Sequence, residues 1–175
     1  MAKPFRRRAT RAVLIAAALL SASGANAQPD CDRACLTTQA EAYLAALLAH
    51  DPSRLPFAPD VRFTENGIAL NPGEAAWGTI TRIGTYRLWA VDPESGQIGG
   101  YVTVDEHDRP HIMMLRLKLA GGRISEVETL INRTEAGDGT GTRTLDAKGA
   151  EPAWLQPLPT AKRPQSQQLL TTRNR

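Results

Sequence analysis

The first periodic pattern along the chain is a stripe of apolar residues at helical spacing between residues 36 and 50. The stripe falls on one side of a helix and therefore predicts an amphipathic helix over this segment. The helix is expected to end at Asp51, because the residue before a proline avoids the α conformation and Pro52 follows. The apolar stripe consists of Leu36, Ala40, Tyr43, Leu44, Leu47 and Leu48.

Later segments alternate between apolar and polar residues or are rich in β-branched and aromatic residues, which is typical of strands. Asn66-Gly67 is typical of a tight turn, and Gly84 is expected to mark a bulge or bend. Short turns join the strands from residue 79 onward, which predicts an antiparallel meander. The predicted fold class is α+β, with an N-terminal helix packed on a strongly curved antiparallel sheet. The predicted strands are 61–65, 79–91, 97–105, 111–119 and 123–132.

The two ends of the chain differ from this central part. Residues 1–27 combine five Lys and Arg, a short apolar run and small residues ending at Ala27. This pattern predicts a secretory signal peptide cleaved after Ala27, with an uncleaved membrane anchor as the alternative. A single domain is expected over residues 28–133. Gly and Pro become frequent from residue 134, so 134–175 is expected to be a loose tail or, alternatively, to include the start of a truncated second module.

Removal of this leader would reverse the sign of the net charge. The whole chain has 21 Lys and Arg against 18 Asp and Glu, whereas the chain without its first 27 residues has 16 against 18. A balanced charge of this kind gives no reason to expect a nucleic-acid partner, nor a membrane partner for the mature form. The predicted location is the periplasm or the outside of the cell.

Cys31 and Cys35 are the only two cysteines. An oxidising compartment would allow them to pair, and a bridge over this spacing would tie down little more than the N-terminal end of the domain. A structural disulfide is therefore predicted, with free thiols as the alternative. No metal site is expected, because no further cluster of His or Cys lies near them in the sequence.

Three segments resemble the nuclear transport factor 2-like superfamily, also called SnoaL-like. They are the end of the first helix at Ala49-His50-Asp51-Pro52, the strand and turn from Val61 to Gly67, and residues 115–128 with their Gly121-Gly122-Arg123-Ile124 turn. The resemblance covers roughly residues 31–133, about the size of one domain. One departure is that residues 51–60 leave little room for the second helix that the superfamily usually has.

The resemblance implies a cone in which a curved sheet wraps around helices and encloses a deep apolar cavity. The superfamily includes dehydratases, a ketosteroid isomerase, an epoxide hydrolase, polyketide cyclases and members that only bind or dimerise, so fold does not give function. The Asp, His and Tyr patterns of its enzymes do not map onto this chain.

The alternation along the strands gives candidate catalytic residues. Glu65 shares a face with Val61 and Phe63, while Arg116 and Glu128 are expected to be cross-strand neighbours. In strand 111–119, Met113, Leu115 and Leu117 are expected on the core face, opposite Met114 and Arg116. In strand 123–132, Ile124 is expected to share a face with Glu126 and Glu128. In one interpretation Arg116 and Glu128 form a structural ion pair on a solvated face. In the other they line a pocket, where Glu65 or Glu128 is a general base with a pKa raised by burial and Arg116 stabilises an oxyanion.

Further residues are candidates for a ligand pocket. Tyr86 or Tyr101 would donate a hydrogen bond to a ligand, and Trp77 would cap the pocket mouth. For each aromatic residue the alternative is ordinary packing. The full set of pocket candidates is Phe63, Trp77, Tyr86, Tyr101, Met114 and Glu126.

Two functions remain open from the sequence. One is an exported protein that binds a small apolar or aromatic molecule, with cofactor-free acid–base chemistry of the dehydratase, isomerase or lyase type. The other is a non-catalytic binding or dimerisation module, with a homodimer as its assembly. No cofactor is expected, since the chain has neither a phosphate-binding loop nor a dinucleotide fingerprint.

Overall fold

The computed structural model of the protein describes residues 31–133, 139–156 and 158–162. Its first element is the helix α1, Arg33–Leu48. The helix begins three residues before the apolar stripe because Asp32 caps it: the Asp32 carboxylate accepts a hydrogen bond of 2.8 Å from the Cys35 amide. The predicted signal peptide, 1–27, lies outside the described residues.

Six strands form one sheet in the order β2-β1-β6-β5-β4-β3. The predicted meander from β3 to β6 is confirmed, since each of these strands pairs antiparallel with the next. The predicted α+β fold class, a helix packed on a curved sheet, is confirmed, and the sheet is mixed because β1 lies parallel to β6. A parallel pair requires the chain to cross over between its strands, and short-range sequence patterns give no sign of such a crossover. The strands are β1 Phe57–Glu65, β2 Ile68–Leu70, β3 Ile80–Asp92, β4 Gln97–Glu106, β5 Arg109–Ala120 and β6 Arg123–Ile131.

Two short elements were not predicted. Pro52–Arg54 forms a 3₁₀ turn after α1, and the four-residue helix α2, Ala76–Thr79, leads into β3. The predicted bulge at Gly84 is confirmed, because the register of β3 against β4 shifts between Ile83 and Arg87. Such bulges bend and twist a strand and so contribute to the curvature of the sheet.

The helix α1 packs on one face of the sheet, called here the inner face. Leu36, Tyr43, Leu44 and Leu47 of the helix are buried there. Met113, Leu115 and Leu117 of β5 are fully buried in the same core, as the alternation of β5 predicts. Ile124 also lies in this core rather than beside Glu126 and Glu128, because the register of β5 against β6 shifts between Lys118 and Leu119.

A third helix, α3, Thr140–Lys148, lies against the opposite or outer face of the sheet. The Asp146 carboxylate accepts hydrogen bonds of 3.0 Å from the amides of Thr85 and Tyr86, and it also accepts one from the Thr103 hydroxyl. The structure therefore differs here from the expected loose tail. A 3₁₀ turn, Pro152–Leu155, follows, whereas the possible second module at 166–175 lies outside the described residues.

The predicted disulfide is confirmed. Cys31 and Cys35 are bonded, with their Cα atoms 5.3 Å apart, and they join the residue before the α1 cap to the first turn of the helix. None of the described helices is long and apolar enough to cross a membrane.

Candidate functional site

The outer face of the sheet presents three rows of side chains that run across β3, β4, β5 and β6. The strand register places the members of each row directly opposite one another. The first row is apolar, the second is small on two strands and charged on the other two, and the third is polar. In chain order across the strands the rows are Leu88, Tyr101, Met114 and Leu130; Ala90, Gly99, Arg116 and Glu128; and Asp92, Gln97, Lys118 and Glu126.

A groove of about 700 Å³ lies over the first two rows. The space is left by the small side chains at Ala90 and Gly99. The Pro152–Leu155 turn contributes Trp154 and Leu155 to the lining of the groove. A neighbouring hollow of about 310 Å³ shares several of the same residues and extends to Asp92. The groove is lined by Arg33, Leu88, Trp89, Ala90, Val91, Gly99, Gly100, Tyr101, Met114, Arg116, Trp154, Leu155 and Gln156.

Arg116, in the second row, is held by three side chains. Its guanidinium donates to Glu128 at 3.1 Å, to Glu126 at 2.8 Å and to Gln97 at 2.9 Å. Lys118 also donates to Glu126 at 3.1 Å, and hydrogen bonds from Arg116 and Lys118 lower the pKa of Glu126. These four charged side chains neutralise one another, and the Arg116–Glu128 pair lies on the outer face of the sheet.

Glu65 lies on the inner side, at the end of β1, and is 4% exposed. Its carboxylate accepts from Arg133 at 2.6 Å and from the Ala76 amide at 3.1 Å. Arg133 also pairs with the buried Glu106 at 2.8 Å and lowers the pKa of that carboxyl, to which Thr79 donates as well. The structure therefore does not bring Glu65 together with Arg116 and Glu128, which lie on the opposite face.

The predicted pocket residues divide in the same way. Tyr101 and Met114 line the groove, and Glu126 contacts it through Arg116. Phe63 and Trp77 are buried in the core, where Trp77 packs edge-on against Tyr43 with ring centroids 5.4 Å apart, so Trp77 does not cap a pocket mouth. Tyr86 is also buried, beside the β3 bulge, and does not line the groove.

Sequence reasoning missed Gly99, Arg33 and Leu88 as groove residues. It also missed Glu106 and Arg133, which together with Glu65 form an inner cluster of charged residues. Arg133 follows β6, and only the parallel pairing of β6 with β1 brings it to Glu65. A buried acid at a strand end does require a cation, so Glu65 gave one signal that a basic partner was needed.

These features define a small α+β protein with an inner core beneath α1 and a groove on the outer face of its sheet. The chain belongs to the family of the domain of unknown function DUF8021, whose model matches residues 29–131. No curated protein matches the sequence. The helix packed on a curved sheet is the α+β architecture that the sequence analysis predicted.

Several solved structures are similar to the chain. A de novo designed protein with a curved β-sheet has a TM-score of 0.48 and 16% identity, covering 58% of this chain and 88% of its own. A protein with a ketosteroid isomerase-like fold from Catenulispora acidiphila DSM 44928, in complex with trimethylamine, has a TM-score of 0.42 and 16% identity, covering 52% and 82%. An LEH-like epoxide hydrolase from M. tuberculosis has a TM-score of 0.38 and 15% identity, covering 54% and 80%. Nothing about activity follows from similarity at this level.

Proposed function

We propose that the chain is an exported binding protein that holds a small apolar or aromatic molecule in the outer-face groove. The observation that carries this proposal is the groove itself, whose volume of about 700 Å³ falls in the range of roughly 300–1,000 Å³ typical of small-molecule sites. Leu88, Tyr101, Met114, Trp154 and Leu155 give it the apolar and aromatic lining that such a ligand requires.

The ion pairs around the groove and in the inner cluster favour binding over acid–base catalysis. A general base at neutral pH needs a pKa raised towards 7. Glu126 and Glu106 instead have lowered pKa values, because each accepts hydrogen bonds from arginine. Glu65 and Glu128 are also paired with arginines. We therefore propose a site that binds its ligand without chemistry.

Export is supported by two features. The leader-like pattern of residues 1–27 predicts secretion, and the Cys31–Cys35 disulfide is of a kind that persists in oxidising compartments. Sequencing the N-terminus of the protein recovered from its native host tests this proposal. A mature chain that begins at Gln28 supports it, and a chain retaining residues 1–27 contradicts it.

A groove-filling substitution tests the binding site. A Cβ added to Gly99 would lie 3.5 Å from the Leu115 carbonyl oxygen and 3.8 Å from the Arg116 Cβ, which are ordinary contacts. Gly99→Leu is therefore expected to leave the sheet intact while its side chain fills the groove floor. Gly78→Leu is the matched control, because Gly78 is exposed, has open space around it and lies outside the groove.

The measurement is thermal unfolding in the presence of a panel of small aromatics and terpenoids. A ligand at about a hundredfold excess over its Kd stabilises by about 2.7 kcal/mol, which raises Tm by roughly 5–10 °C for a domain of this size. The wild type and Gly78→Leu should show this rise, and Gly99→Leu should lose it. An equal rise in all three proteins would place the ligand elsewhere and contradict the proposal.

A further inference from the structure

The lining of the groove is cationic. Two of its residues, Arg33 and Arg116, carry a positive charge, and none of the described residues that line it is acidic. Since Arg116 is paired with Glu126 and Glu128, complementarity to a ligand with a negative charge depends on Arg33.

The two arginines differ in how their charge is used. The Arg116 guanidinium already donates to Gln97, Glu126 and Glu128. Arg33, the first residue of α1, instead donates to the Val91 carbonyl oxygen of β3 at 3.1 Å, and it takes part in no salt bridge among the described residues. The neighbouring Asp32 is engaged by the Cys35 amide as the helix cap. Arg33 is thus the groove residue with a positive charge left to offer.

We propose that the ligand of the groove is an aromatic monoanion, with its ring between Tyr101 and Trp154 and its carboxylate, sulfonate or similar group at Arg33. The planar guanidinium fork matches such anions in geometry, and a charged hydrogen bond is stronger than a neutral one. This inference rests on the proposed function, because it assigns a chemical class to the ligand of the same groove.

A pair of fluorescent probes that differ by one sulfonate tests it. N-phenyl-1-naphthylamine is neutral, and 8-anilinonaphthalene-1-sulfonate has the same rings with an added sulfonate. The full mature protein is titrated with each probe. The wild type should bind the sulfonate about tenfold more tightly than the neutral probe, and added salt should weaken only the sulfonate.

Arg33→Gln should remove this preference, weakening the sulfonate by about five- to tenfold and leaving the affinity for the neutral probe unchanged. Arg123→Gln is the matched control: Arg123 is an exposed arginine that also donates to a carbonyl oxygen, that of Phe57 at 3.4 Å, but it does not line the groove. This control should retain the wild-type preference.

The possible failures are distinguishable. In one case the wild type binds the neutral probe and Gly99→Leu does not, so the binding site stands. The anion assignment is then wrong if the sulfonate binds no more tightly than the neutral probe, or if Arg33→Gln leaves the ratio of the two affinities unchanged. If Gly99→Leu changes the affinity of neither probe, the binding site itself is wrong.

Sedimentation with and without the sulfonate provides a further test of what occupies the groove. A dimer that dissociates when the probe binds would show that a second copy of the chain occupies the groove, and it would overturn the assignment.

Discussion

At the scale of single residues, the Asp146 side chain joins α3 to β3 and β4 through hydrogen bonds. It reaches the β3 bulge because Gly84 has no side chain: a Cβ there would lie within 2.6 Å of the Asp146 carboxylate. Burial tends to raise the pKa of Asp146, but hydrogen bonds from Thr103, Arg82 and the amides of Tyr86 and Thr85 outweigh it, so the pKa is lowered. The charged carboxylate thus holds α3 on the sheet.

Asp146→Asn should reduce the free energy of unfolding by about 2 kcal/mol at neutral pH, because it removes the charge and places an NH2 donor where one carboxylate oxygen accepted from Arg82. Since the pKa of Asp146 is lowered on folding, its contribution is present above the ordinary aspartate pKa and is lost as pH falls through the folded value. Urea unfolding at about pH 7 and about pH 3 measures the difference between wild type and variant.

The exposed Asp60 provides the control, because Asp60→Asn should change stability little at either pH. A loss in Asp146→Asn that is the same at both pH values would show that the charge of the carboxylate does not stabilise α3.

A second prediction at this scale concerns Arg133, which neutralises two buried acids. Arg133→Met leaves Glu65 and Glu106 without their cation, with side chains only 4% and 8% exposed, and should cost about 3 kcal/mol at neutral pH. In the wild type Arg133 lowers the pKa of Glu106, so that group stabilises the fold above its ordinary pKa. In the variant the pKa of Glu106 should be higher than in the wild type, and the loss should shrink as pH falls. Urea unfolding between about pH 7 and pH 4.5 measures it.

Adding Glu65→Gln to Arg133→Met should recover part of the lost stability, since one of the two facing charges is then gone. The exposed Arg123→Met serves as the control and should be nearly neutral. Arg133→Met losing less than about 1 kcal/mol at neutral pH would show that water, rather than Arg133, satisfies the two acids.

At the scale of elements, the sequence predicted what depends on neighbouring positions along the chain. The periodicity of 36–50 corresponds to most of α1, and the short turns after residue 92 correspond to the hairpins from β3 to β6. The alternation of β5 correctly separated Met113, Leu115 and Leu117 from Met114 and Arg116. In β6 the same reasoning misplaced Ile124, because one register shift inverts the assignment of every residue beyond it.

Alternation cannot tell which face of a sheet will be covered by a helix, and this limited prediction of the site. The apolar residues on the core side of β5 pack under α1, so Arg116 and Glu128 face outward and Glu65 inward. The groove could not be predicted from the sequence either. It depends on the small residues Ala90 and Gly99, and on a wall contributed by Trp154, which follows Gly99 by more than fifty residues.

At the scale of the whole molecule, the described chain has two layers of unequal burial. The inner layer, α1 with the meander, contains the buried core cluster. In the outer layer, α3 buries only Thr142, and Trp154 and Leu155 are 65% and 53% exposed. Because the outer layer also forms one wall of the groove, the proposed ligand-binding surface includes weakly buried residues, as is common for elements that respond to ligands.

This arrangement predicts two levels of protection in native-state hydrogen exchange. Amides at the centres of β4 and β5 should exchange only through global unfolding, whereas those of α3 should exchange faster, through an opening that leaves the core intact. Asp146→Asn should speed exchange in both α3 and β5, and the increase should be larger in α3. The reason is that the carboxylate bonds to the β3 bulge are present only while α3 is docked. Equal exchange free energies in α3 and β5 would instead show that both layers unfold together.

The Pro152–Leu155 turn can be tested as a wall of the groove by the same measurement. A bound aromatic ligand should slow exchange at Ala153–Gln156, since in the proposed site it contacts Trp154 and Leu155 directly. A ligand that protects β4 and β5 but not this turn would show that the turn is not a wall of the binding site.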